Sequence, residues 1–253
     1  MKNKKGRYPK GMSIFLNAFI KDILALPVTD PNRVLLSLRA TLDGTPKPAA
    51  PLPQTLSEIF ITDLFDAFGE LCQAYENVLL VVELARLRFK KTNRITRLRY
   101  LTFVADSSLN EFYIFTERLN KFLTNILRRY SKDPKFASLQ IFVHKAIKIV
   151  KNSLQTTLQI RSEHVHERRF SSSDEKIKRI ATLELLVVNG GMKKFRPIYR
   201  KAMSAAYRHI IQQTKIHARN AKAVSGAVLK NLARELIDGN GQLRYPSNIK
   251  RQN

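Results

Sequence analysis

The sequence predicts an all-α protein, an antiparallel bundle of long helices, and three observations carry that expectation. Apolar residues recur at spacings of three and four over long stretches, while the period-two alternation of half-buried strands is weak throughout. Short clusters of Pro, Gly, Ser and Asn separate those stretches, and long helices joined by short turns pack antiparallel. Finally, 44% of the 253 residues are hydrophobic, enough for one large core or two small ones, which excludes a disordered basic tail protein.

Taken in order, residues 1–12 read as a basic tail and 13–41 as N-terminal helices. Met1 to Lys10 followed by Ile14-Phe15-Leu16 has a faint leader-like look, but Lys21 and Asp22 interrupt the apolar stretch, which is too short to cross a bilayer. Residues 42–54 are a Pro-rich linker. Asp43-Gly44-Thr45-Pro46-Lys47-Pro48, continuing to Pro51 and Pro53, cannot propagate helix, because proline lacks the amide donor and clashes with the preceding turn.

The core bundle is expected over 55–190. From Thr55 to Arg88, Ile59, Leu64, Phe68, Leu71, Tyr75, Val78, Leu79, Val82 and Leu87 mark one amphipathic helix or two stacked end to end. Similar patterns run from Tyr100 to Tyr130, from Phe136 to about Ile160 and from Asp174 to Val188. Asp133-Pro134 suits a helix start, Ser171 to Asp174 offers N-cap oxygens, and Asn189-Gly190-Gly191 suits a helix end that needs positive φ. The remainder, 191–253, is a basic helical region periodic from Phe195 to Ile237, long enough that a break within it is expected. No internal repeat is visible.

The formal net charge of +25 narrows the partner. A positive field of this size attracts phosphate backbones, and also anionic lipid headgroups, so it fixes the sign of the partner rather than its class. RNA or another nucleic acid is the expected partner, with an acidic protein or a membrane surface as the alternative. The longest apolar run, Val78 to Val82, stops at Glu83, so no transmembrane segment is expected and the protein is placed in the cytoplasm. Cys72 is the single cysteine. It lies in an apolar helical pattern and reads as a buried, inert thiol, with no disulfide framework and no cysteine-based zinc site.

Charge is segregated along the chain. Asp43, Glu58, Asp63, Asp66, Glu70, Glu76 and Glu83 occupy a stretch whose only basic residue before Arg86 is Lys47. Then Arg86, Arg88, Lys90, Lys91, Arg94, Arg97 and Arg99 follow with no acid among them. A second basic block, from Lys193 to Arg251, is opposed only by Glu235 and Asp238. Such blocks are commonly solvated faces, yet so many cations without carboxylates repel one another, so the first block together with Lys193, Lys194, Arg196, Arg200 and Lys201 is the expected nucleic-acid-binding surface. Tyr199, Tyr207 and Tyr245, interleaved with Lys and Arg, suit base stacking and helix packing equally.

One segment concentrates catalytic residue types: Ile160-Arg161-Ser162-Glu163-His164-Val165-His166-Glu167-Arg168-Arg169-Phe170. Arg161 and His166 form an R-x4-H pattern, and over about Phe136 to Val188 the sequence resembles the HEPN superfamily of helical ribonucleases. That resemblance implies a motif closing a core helix of a small bundle, metal-independent RNA cleavage by the paired arginine and histidine, a site completed by homodimerisation, and a toxin or defence role with a possible antitoxin or other protein partner. The residue after the arginine, commonly Asn, Asp or His in the family, is here Ser162.

The chemistry also stands on the residue types. RNA cleavage through its 2′-hydroxyl needs a base active near neutral pH and a cation for the phosphorane charge, roles that suit His166 and Arg161, with Ser162 and His164 as orienting neighbours and a 2′,3′-cyclic phosphate as product. No metal or other cofactor is called for. On an unbroken helix, however, positions five apart diverge by roughly 140°, so Arg161 would face His164 rather than His166. Three readings compete with catalysis: a charged helix terminus, a metal pair of His164 and His166 lacking any H-E-x-x-H spacing, and a patch that holds RNA without cutting it. The other histidines, His144, His209 and His217, carry less information.

Overall fold

Thr55 begins the first long helix with a reciprocal cap: its hydroxyl accepts from the Glu58 amide at 3.2 Å and the Glu58 carboxylate accepts from the Thr55 amide at 2.8 Å. Two orphan donors are thereby satisfied, an arrangement typically contributing about 1 kcal/mol. In the computed structural model, which describes residues 8–25, 55–87, 96–166, 175–189 and 191–249 (side chains of 153–166, 188 and 189 excepted), this helix is one of six. They are α1 (Lys10–Ala25), α2 (Leu56–Arg86), α3 (Arg97–Tyr130), α4 (Ala137–His166), α5 (Glu175–Glu184) and α6 (Arg196–Leu236). Among the described residues there is no strand, only an isolated antiparallel bridge between Ile237 and Leu243. The all-α bundle expected from periodicity is the fold.

Local chemistry sets the boundaries. Thr96 caps α3 by accepting from the Arg99 amide, and Asp133 accepts from the Lys135 amide ahead of Pro134, opening a short 3₁₀ turn that feeds α4. After α5 the chain passes through one π turn, Leu185–Asn189, and reverses at Gly191, whose φ of +65° is the left-handed region that favours glycine. The break expected within the last helix does not occur. α6 runs 41 residues without interruption, with its only proline, Pro197, in its first turn where no amide donor is needed.

Two cores divide the bundle lengthwise. The larger one joins α1, α2, α3, α4 and the C-terminal half of α6 around an aromatic cluster. Phe15 meets Phe122 edge to face at 5.9 Å, Phe68 lies 5.3 Å from Phe19 and 5.6 Å from Phe122, and Tyr130 meets Phe136 at 4.7 Å. The smaller core joins Val81 and Ala85 of α2, Leu101 and Val104 of α3, Ile177 and Ile180 of α5, and Met203, Ala206 and Ile210 of α6. Consecutive long helices run antiparallel. α6 lies along α3 in the same direction, since Leu101 packs with Met203 at one end while Phe112 and Leu119 neighbour Asn220 and Val224 further along.

Close approach and a polar latch fix the periphery. A Cβ on Gly11 would lie 2.6 Å from the Lys230 amide nitrogen, so only glycine lets α1 and α6 come this near. The residues after α6 fold back over the larger core. Buried Asp22 accepts from the Leu243 amide, Asp133 accepts from both the amide and the hydroxyl of Ser247, and the Tyr130 hydroxyl donates to the Arg244 carbonyl. Tyr245, a stacking candidate from the sequence, instead packs 5.2 Å from Phe60.

Candidate nucleic-acid interface

Two acids of the acidic stretch pair across the bundle. Asp63 of α2 pairs with Arg129 of α3, and Glu70 binds both Arg118 at 2.9 Å and Lys121 at 2.8 Å. The Glu70 carboxyl is held below its usual range, chiefly by the Lys121 hydrogen bond. α6 meets less of that supply: Glu76 and Glu83 of α2 line one cavity with Lys215 and Arg219. No Asp or Glu occurs from residue 185 to residue 234, and among the described residues none of Lys201, Arg208, Lys215, Arg219 and Lys222 forms an ion pair.

Those five cations share one face. Spacings of seven, seven, four and three residues keep them within about 40° of a common line, and the run covers about 31 Å of helix. Lys215 is half-buried and the others are exposed. A neighbouring face of α6, from Met203 through Ile210 and Leu229 to Leu236, is buried in the two cores. Sequence reading took only the first members of this block. The heptad-like spacing of Lys201, Arg208 and Lys215 is the signal that finds the rest.

Most cations expected from the sequence cluster at one end of this stripe. Arg97 and Arg99 lie in the first turn of α3, Lys193 and Lys194 in the 3₁₀ turn before α6, and Arg196, Arg200 and Lys201 in its opening turns, all exposed. α3 and α6 are parallel and neither has an acid in its first turn, so two positive dipole ends and these side chains reinforce one another. Cations at helix N-termini cost stability, which packing must offset. Arg86, at the other end of α2's charge pattern, is paired with Glu83 at 2.6 Å, whereas Arg88, Lys90, Lys91 and Arg94 lie outside the described residues.

Between the heads of α3 and α6 is a cavity of about 470 Å³ lined by Arg97, Tyr100 and Leu101 on one side and Met203, Ser204, Tyr207 and Arg208 on the other. The Tyr100 hydroxyl donates to the Leu84 carbonyl and the Tyr207 hydroxyl reaches the Leu87 carbonyl at 3.4 Å. Burial raises the Tyr100 phenol above its usual pKa, with Tyr207 beside it adding to the shift. Tyr199 is raised mainly by burial too, Glu184 adding and Arg97 opposing. Midway along the stripe, His217 points inward. Its ring stacks on Phe112 at 4.9 Å and 6°, its Nδ1 lies 2.9 Å from the Ser108 hydroxyl, and burial pushes its pKa down to about 4.

Arg161, Ser162, His164 and His166 fall in the last turns of α4, whose backbone is helical through His166 while their side chains lie outside the described residues. The helix is unbroken between Arg161 and His166, so the two positions are set roughly 140° apart around its axis. α4 runs antiparallel to α3. It continues 16 residues past Val150, about 24 Å, in the direction of the end where α3 begins. Among the described residues no cluster of three metal-ligating side chains occurs, and no helix is long and apolar enough to cross a membrane. No family model matches the chain, and neither the curated proteins nor the solved structures return a match.

Proposed function

We propose that the protein binds RNA through the α6 face and the cluster of cations at the heads of α3 and α6. The observation that carries this reading is the row Lys201, Arg208, Lys215, Arg219 and Lys222, exposed or half-exposed and without carboxylate partners among the described residues. Cations left unpaired on a rigid helix raise the potential along a line, and phosphate neutralisation with counterion release is the favourable way to discharge it. A lipid surface fits less well. A helix that lies on a membrane needs its apolar face free, and the apolar face of α6 is already buried in both cores.

Salt titration of binding tests the proposal. Wild type is expected to bind RNA with a log–log salt dependence, and Lys215→Ala with Arg219→Ala is expected to weaken binding and lower the slope by about 1.5 for a single-stranded ligand. Unchanged affinity and slope in the double variant refute it, and binding to anionic vesicles but not to RNA transfers the surface to lipid.

A second reading adds cleavage. It rests on the R-x4-H pattern of Arg161 and His166 and is favoured by the course of α4, which carries those positions toward the end of the bundle bearing Arg97, Arg99 and Arg196. Arg161 supplies a guanidinium for the phosphorane and His166 a base for the 2′-hydroxyl, without a metal. Because one helix separates the two by roughly 140°, each site draws on two subunits of a homodimer, and a protein partner or antitoxin acts by blocking that assembly. Incubation with RNA in excess EDTA decides it. Cleavage by wild type, lost in Arg161→Ala and in His166→Ala with affinity retained, supports the enzyme, while no cleavage under any metal condition leaves binding alone.

A further inference from the structure

The cavity at the head of the stripe differs in kind from the stripe itself. Exposed lysines and arginines suffice to hold phosphates, and they need no enclosed space. Here Arg97 and Tyr100 on α3 and Tyr207 and Arg208 on α6 line a partly open cavity of about 470 Å³ with no carboxylate in the lining. That volume lies within the range of sites that enclose a small planar ligand.

The tyrosines are fixed for the purpose. Tyr100 and Tyr207 both direct their hydroxyls to main-chain carbonyls at the end of α2, those of Leu84 and Leu87. Those bonds occupy the phenol donors, and the Leu84 carbonyl also accepts from the Leu87 amide at 3.1 Å. What remains for a ligand is the ring surface, held in place before binding, together with the hydroxyl of exposed Ser204 and two guanidinium forks. Ring surface accepts a flat π system, and paired guanidinium groups accept a phosphate.

We infer that the cavity between Arg97, Tyr100, Ser204, Tyr207 and Arg208 is a nucleotide subsite, taking one unpaired base against the phenol rings and its phosphate between the two arginines. The inference rests on the reading of α6 as an RNA-binding face and adds to it a preference for strand form. A duplex keeps its bases stacked inside, so only a single strand or a frayed end delivers a base to this position. Phosphates of the neighbouring nucleotides then continue along Lys215, Arg219 and Lys222.

The test compares an oligoadenylate with an abasic strand of equal length and charge, using the full chain. Wild type is expected to bind the base-bearing strand about tenfold or more tighter, the increment of one stacked base. Ser204→Leu, which takes up cavity space from an exposed position with a side chain that offers no ring to stack on, is expected to reduce that difference while leaving the salt slope unchanged. Lys215→Ala with Arg219→Ala does the reverse, lowering the slope and keeping the difference. Independently, the chain has no tryptophan, so quenching of a 2-aminopurine strand by wild type reads stacking directly. Equal affinity for the two strands with no quenching overturns the subsite while the α6 face stands, as does a base preference undiminished in Ser204→Leu. Failure of wild type to bind either strand overturns both the face and the subsite.

Discussion

At one end of the bundle Phe15, Phe19, Phe68 and Phe122 fill a core supplied by five helices, Asp63 and Glu70 of α2 pair with bases of α3, and the C-terminal segment is latched over the outside. At the other end Ile177, Ile180, Met203 and Ile210 make a smaller core beneath an unbalanced set of cations. The same helices, α2, α3 and α6, serve both ends. Stability is thus drawn from the aromatic end and transmitted along continuous helices to the end that carries mutual repulsion. Repulsion that folding must offset marks the surface whose charges have a use elsewhere.

The sharpest way to break this comparison is to empty the two cores in turn. Phe122→Ala is expected to cost about 3–5 kcal/mol and Ile180→Val about 0.5–1.5 kcal/mol, followed by urea unfolding with circular dichroism. Because the helices are shared, both variants should shift one cooperative transition. A separate early transition in Ile180→Val would show that the basic end unfolds on its own.

Acidification gives the next largest effect. The pKa of His217 is pushed down to about 4 by burial against Phe112, so the unfolded chain binds the proton more readily than the folded one. The neutral ring's contribution is complete above about pH 6.5 and is lost as the pH falls from there toward about 4. Urea midpoints measured across that window should fall in wild type and fall less in His217→Gln, and equal slopes in the two proteins refute the assignment.

The latch is a smaller matter. Asp133 is held below the usual carboxylate range, first by the Ser247 amide and then by its hydroxyl, so the contact persists at ordinary pH and is lost only as acid takes the carboxyl through that lowered value. Asp133→Ala should speed hydrogen exchange of the Leu243 to Ser247 amides without altering RNA binding. Smallest of all, Lys178→Ala removes an exposed pair with Glu175 and should change stability by less than about 0.5 kcal/mol.

Much of the architecture was legible because helical periodicity is a local property. Leu64, Phe68, Leu71, Tyr75, Val78 and Val82 recur at threes and fours, and all are buried on one face of α2, whereas Ile59 and Leu87, marked with them, are exposed. Cys72 was legible in the same way: the thiol packs beside the larger core and burial pushes its pKa up to about 12. Periodicity failed where continuity depends on neighbours. α6 looked long enough to break, yet both cores grip it and hold it whole. His217 carried little information in the sequence, because nothing adjacent to it announces that Ser108 and Phe112 will cover it.

The sequence by itself determined the helices, the excess of positive charge and the acid-free stretch behind α6, since composition and period depend only on nearby residues. Which charges cancel was decided by the tertiary structure. Asp63 meets Arg129 and Glu70 meets Arg118 only because α2 and α3 pack antiparallel, and that pairing takes those two acids away from the cations of α6. Likewise Arg97 reaches the cavity wall opposite Arg208 only because α3 and α6 lie parallel with their heads together. The physical reason is one of range: a helix sets the direction of its own faces, while the partner of each face is chosen by packing among segments far apart in the chain.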